Sequence, residues 1–98
     1  MILEVAVLDV RPGEEAEFEV AMARARPLIA ASPGFLRIEV RRCTETQSRY
    51  LLLVQWRTLE DHTLGFRKSE RYQEWRSLLH HFYDPFPTVE HFGPSILE

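Results

Sequence analysis

The chain has 98 residues, 45% hydrophobic and 28% charged, with a net charge of −3. That make-up fits one soluble globular domain over residues 1–98 and offers no basic stripe for nucleic acid. A lone Cys43 excludes an internal disulfide and any Cys–His zinc spacing, and no apolar run approaches the ~18 residues of a membrane span. The first residues carry Glu4 and Asp9 inside their apolar run and lack a basic start, so they are not a signal peptide and a cytoplasmic protein is expected.

Residues 2–10 read as a strand, with Leu3, Val5 and Val7 on one face and Ile2, Ala6, Leu8 and Val10 on the other, interrupted by Glu4. Such weak alternation implies that both faces are largely covered. Arg11, Pro12 and Gly13 break the strand. Glu14, Glu15 and Glu17 then supply the negative charge favoured in a first helical turn. The spacing of Phe18, Met22, Ala25 and Ile29 predicts a helix over 14–31 packed on a sheet, with Pro27 kinking it or weakening its last turn. Ser32, Pro33 and Gly34 end it.

Residues 35–43 alternate, Leu36, Ile38 and Val40 facing one way and Arg37, Glu39 and Arg41 the other. A polar loop over 44–48 leads into a third strand over 49–56, whose apolar run from Tyr50 to Val54 again implies cover on both faces. Thr58 is a good N-cap with Asp61 three residues on, opening a short helix over 59–66 that puts His62 and Phe66 on one face. Ser69 is a second N-cap before the stripe Tyr72, Trp75 and Leu79, so the helical region is expected to break near 67–69. Residues 88–92 form a last short strand.

The order is β-α-β-β-α-β, the ferredoxin-like α+β arrangement: a four-stranded antiparallel sheet with two helices on one face. Its second face is apolar too. A two-fold copy of the same sheet is the simplest cover, so a homodimer closed as a dimeric α+β barrel is expected.

Particular residues carry a resemblance. The Pro33, Gly34, Phe35 turn into strand two, Trp56 followed by Thr58 to His62, and the later Phe66, Arg67, Ser69, Tyr72 and Trp75 resemble the antibiotic biosynthesis monooxygenase family of the dimeric α+β barrel superfamily. The resemblance covers nearly the whole chain. It implies fold and dimer more than reaction, since members include cofactor-free oxygenases acting on quinols and phenols, haem-degrading enzymes and an isomerase. The family's quinone-forming and haem-degrading members use an asparagine, and this chain contains none. Where haem-degrading members carry a tryptophan and an iron-binding histidine, this chain has Phe66 and Arg76; a guanidinium stays protonated and cannot ligate iron, which disfavours haem degradation of that type.

Residues 56–92 hold all four histidines, both tryptophans, two of three tyrosines and four of six phenylalanines, the mixture a pocket for a flat, partly polar molecule needs. His62 is the candidate base, its ordinary value near ~6.5 suiting proton removal from a phenol or quinol; a plain helix histidine is the alternative. Arg67 is the candidate partner for an anion, or else pairs with Asp61, Glu70 or Glu74. Phe66, Tyr72 and Trp75 fit a stacking wall for a substrate or an ordinary core stripe. Tyr83 and His91 are candidate rim residues, while the 80–92 segment as a whole is expected at a subunit boundary. Neighbouring His80 and His81 point about 100° apart on a helix, so no metal site is expected. The four glycines stand singly, no nucleotide loop exists, and no cofactor is expected. The function that the family resemblance, together with this base–guanidinium–aromatic cluster, implies is a cofactor-independent monooxygenase acting on a small aromatic, or alternatively a non-catalytic ligand-binding or sensor dimer.

Overall fold

A computed structural model describes residues 1–97. Strands β1 (Ile2–Asp9), β2 (Phe35–Arg42), β3 (Arg49–Trp56) and β4 (Val89–Phe92) form one sheet in the order β2-β3-β1-β4, with helices α1 (Glu15–Ala30) and α2 (Glu70–Leu79). All neighbouring strands run antiparallel. This is the ferredoxin-like topology that the element order predicts. No helix among the described residues is long and apolar enough to cross a membrane.

A strand's period of two sorts its side chains between the sheet's faces. Ile2 stands opposite Trp56, Glu4 opposite Val54, Ala6 opposite Leu52 and Leu8 opposite Tyr50. Those positions lie under the helices. Phe18, Met22, Ala25 and Ile29 of α1 and Trp75 and Leu79 of α2 are buried in the same cluster as Ala6, Leu8, Leu52, Val54 and Trp56. Complete burial of each large side chain contributes about 1.5–3 kcal/mol. Pro27 lies inside α1, which continues to Ala30, and the amide of Ala31 still donates to the carbonyl of Pro27 at 3.1 Å.

The opposite face is also apolar, through Leu3, Val5, Val7, Leu51 and Leu53, joined by Phe92 of β4 opposite Leu3. Val7 is 44% exposed and Phe92 50%. One expectation fails in β2. Phe35 pairs with Trp56 and Arg37 with Gln55, so Leu36 is an extra residue at a β-bulge. A bulge interrupts alternation. Leu36 is therefore thrown out of line with Ile38 and Val40 and is 46% exposed, while Phe35, Ile38 and Val40 pack against the core.

The two helix starts form as their side chains dictate. The Thr58 amide donates to Asp61 Oδ2 and the Asp61 amide to Thr58 Oγ1, both at 3.2 Å, a reciprocal cap. Ser69 Oγ accepts from the Tyr72 amide at 3.3 Å and opens α2. Between these caps, residues Asp61–Phe66 wind as a π-helix, with the Arg67 amide donating to the His62 carbonyl at 3.0 Å. After α2 a 3-10 turn, His80–Phe82, is tied back to β1: the Arg11 amide donates to the Phe82 carbonyl at 2.9 Å and the Asp84 amide to the Asp9 carbonyl at 2.8 Å.

Candidate functional site

These elements enclose a cavity of about 340 Å³ between the covered face of β1 and α2. Glu4, Ala6 and Leu8, successive on one face of β1, form one wall. The π-helical turn contributes His62 and Phe66, with Arg67 just beyond it, and α2 contributes Tyr72 and Trp75. His80, Tyr83 and Phe86 bound the far end. The volume and the walls of mixed aromatic and aliphatic side chains, with a few convergent polar groups, suit a small organic ligand.

The aromatic wall is one connected packing unit. The Phe66 ring meets Tyr72 and Trp75 edge-on at 5.4 and 5.7 Å. Such edge-to-face contacts hold each ring's orientation. Phe66 is 1% exposed, so core packing and cavity lining are the same job for this residue. Tyr83 is buried too, and burial, then the Tyr72 hydroxyl, pushes its phenol upward, so it stays a neutral hydrogen-bond donor. Tyr83 thus serves the interior; the expectation that residues 80–92 work mainly at a subunit boundary does not extend to it.

The polar end is a chain of three buried or half-buried groups. Trp56 Nε1–H donates to Glu4 Oε1 at 2.9 Å, and His62 Nε2 lies 3.4 Å from the same oxygen. The other nitrogen of that ring, Nδ1, is 2.8 Å from Nε2 of His91 on β4. The His62 ring also stacks on Trp56, centroids 5.2 Å apart and 15° from parallel. Because His62 turns opposite nitrogens to Glu4 and His91, one ion cannot bind all three; no metal-binding cluster occurs among the described residues.

Burial sets the protonation of this chain. It pushes the Glu4 carboxyl above its usual range, against the hydrogen bond from Trp56 and the charge of Arg67, which pull it down. It also pushes His62 down to about 3, helped by the charges of Arg67 and His91. That direction runs against a His62 titrating near neutrality, because a desolvated ring beside a guanidinium holds a second proton poorly. His91 and His80 are lowered in the same way, chiefly by desolvation.

Arg67 faces the cavity. Among the described residues none of Asp61, Glu70 or Glu74 forms an ion pair with it; Asp61 instead caps the turn at Thr58. A guanidinium that faces an aromatic cavity is a ready site for an anionic oxygen. Six of the seven predicted site residues, His62, Phe66, Arg67, Tyr72, Trp75 and Tyr83, line this one cavity, and the seventh, His91, touches it through His62. Glu4 is legible in the sequence as a charge in an apolar strand, on the face of Ala6 and Leu8, but the strand pattern alone gives it no role. No local spacing brings His80 and Phe86 to the cavity, because their approach to Tyr72 and Tyr83 depends on the turn after α2.

Fold and cavity together define a ferredoxin-like domain with an aromatic pocket beneath its second helix. The family model of the antibiotic biosynthesis monooxygenases matches residues 1–78, and the chain belongs to that family. It is 53% identical over 92 residues to the uncharacterized protein YczJ of Bacillus subtilis (strain 168), covering 94% of this chain and 97% of that protein. A solved structure from Bordetella bronchiseptica, assigned to the antibiotic biosynthesis monooxygenases, is 38% identical with a TM-score of 0.91 and covers 97% of each chain. SnoaB of Streptomyces nogalater, a cofactor-independent oxygenase, is 23% identical with a TM-score of 0.71, covering 99% of this chain and 97% of its own, which speaks for the fold alone.

Proposed function

We propose that the protein is a cofactor-independent monooxygenase that oxidises a small phenol- or quinol-like aromatic held between α2 and the sheet. The observation that carries this reading is Arg67, without an ion-pair partner among the described residues, beside the buried Glu4–His62 end of an aromatic-walled cavity. Phe66, Tyr72 and Trp75 would hold the ring, with Tyr83 at the far end, and proton removal at the Glu4–His62 end would leave an anion facing Arg67. A phenol-conjugated methylene fits this arrangement. Its carbanion is electron-rich enough to reduce dioxygen directly, and converting CH₂ to C=O releases four electrons. Dioxygen takes up four when one atom enters the product and the other leaves as water, so no outside reductant is required.

The test is oxygen uptake with anthrone- and naphthol-type probes, paired with ¹⁸O₂ mass spectrometry. One oxygen consumed per carbonyl formed, with one labelled atom retained, supports the reading. Saturable binding by thermal shift without uptake above the uncatalysed rate overturns it and leaves a ligand-binding or sensor protein.

A homodimer is part of the same proposal, because the described residues leave the apolar face of Leu3, Val5, Val7, Leu51 and Leu53 half-buried to exposed. Light scattering at micromolar concentration should give twice the chain mass, and Leu53→Arg should give the monomer. A clean monomer mass for the unaltered protein refutes the dimer.

A further inference from the structure

We propose that Glu4, His62 and His91 form a proton relay joining the cavity to solvent at the β4 edge of the sheet, with Glu4 the group that exchanges protons with the bound substrate. The substrate role of Glu4 builds on the oxygenase reading above; the relay itself stands on geometry. Glu4 lines the cavity, His62 Nε2 is 3.4 Å from its Oε1, and His62 Nδ1 is 2.8 Å from His91 Nε2. A few tenths of an ångström bring the first of these to a full hydrogen bond. His91 lies on the edge strand and is partly exposed, so its remaining nitrogen, Nδ1, is the exit.

The relay has two self-consistent settings. With Glu4 protonated, its O–H donates to His62 Nε2, His62 Nδ1–H donates to His91 Nε2, and His91 carries its proton on Nδ1. Shifting each proton one place outward gives an ionised Glu4, Nε2–H on both histidines, and one proton in solvent. Neither ring becomes an imidazolium at any point. That matters because a His62 held down to about 3 cannot store the proton of a phenol, whose value lies near ~10. Glu4, pushed upward by the same burial, is the better acceptor.

Over one turnover the protons balance. The outward shift ionises Glu4; the carboxylate takes the first substrate proton and later returns it to the peroxide formed from dioxygen. The second methylene proton leaves in water when the O–O bond breaks. An inward shift, with one proton taken from solvent at His91, restores the starting state.

The deciding variant is His91→Ala, at the relay's solvent end. With an anthrone-type probe, kcat should fall on the order of 10²-fold at unchanged KM. Added imidazole should restore a saturable part of it. Glu4→Gln should lose at least as much, with no rescue. Full kcat in His91→Ala, or a loss that imidazole leaves untouched, overturns the relay. If the unaltered protein oxidises no probe, the oxygenase reading fails, and the relay is tested without substrate by ¹⁵N NMR of the imidazoles. In Glu4→Gln the amide oxygen must accept from Trp56, which leaves His62 Nε2 to donate. Both His62 and His91 are then expected locked as Nε2–H, whereas in the unaltered protein their tautomers change together with pH. Independent behaviour of the two rings refutes the relay in that setting.

Discussion

Replacing His62 with Gln keeps a neutral polar side chain between Glu4 and His91 while removing one titration. In the folded protein His62, whose side chain is 4% exposed, is held down to about 3; in the unfolded chain it returns to about 6.5. A depressed histidine means that the unfolded state binds the proton first, so stability present above pH ~6.5 is lost as pH falls toward the folded value. Between pH 7 and 5 the unfolded ring gains about 0.7 of a proton and the folded ring almost none, which integrates to about 2 kcal/mol. Glu4 runs the other way: its raised value favours the folded state at low pH, and that contribution is lost as pH rises. His80 and His91 add to the acid loss in both proteins. Urea melts at pH 5, 6 and 7 should therefore show wild type losing about 2 kcal/mol more than His62→Gln on acidification. Equal losses would refute the buried neutral ring. A relative gain for wild type would mean that His62 is an imidazolium paired with an ionised Glu4.

Two further outcomes test the site and its support. Arg67→Met should weaken binding of an anionic aromatic such as a naphthoate about 10- to 100-fold by calorimetry, and leave neutral naphthalene binding nearly unchanged; an equal loss for both would mean that Arg67 acts through packing. Gly34 sits at φ +85° and any Cβ there would overlap the Asp61 side chain, so Gly34→Ala should cost roughly 1–3 kcal/mol in denaturant melts. Adding Asp61→Ala removes the overlap but not the backbone strain, and should recover only part of that loss; full recovery would contradict a role for the left-handed backbone.

Local signals in the sequence determined most of this architecture. Thr58 with Asp61, and Ser69 with Tyr72, form the caps their side chains predict, because capping depends on atoms within three residues. The stripe of α1 is buried at Phe18, Met22, Ala25 and Ile29, as its period requires. What the sequence does not expose are the features fixed by pairing with distant chain. The Leu36 bulge arises from register against β3, and no residue in β2 announces it. The ionisation of His62 depends on burial beneath Trp56 and beside Arg67, neither visible in a spacing of four along a helix. His91 lies 29 residues from His62, and only the return of β4 along β1 brings the two rings together.

The alternation of β1 also separates two kinds of evolutionary change. Positions 4, 6 and 8 line the cavity, and positions 3, 5 and 7 point to the opposite face. A substitution at Ala6 or Leu8 can reshape the space open to a ligand without touching the surface that Val5 and Val7 present. Changes at that surface can likewise alter its shape and polarity while leaving the cavity wall in place. One eight-residue strand therefore lets the cavity wall and the opposite apolar face drift independently, and gives a protein engineer two interleaved sets of positions to vary in separate libraries.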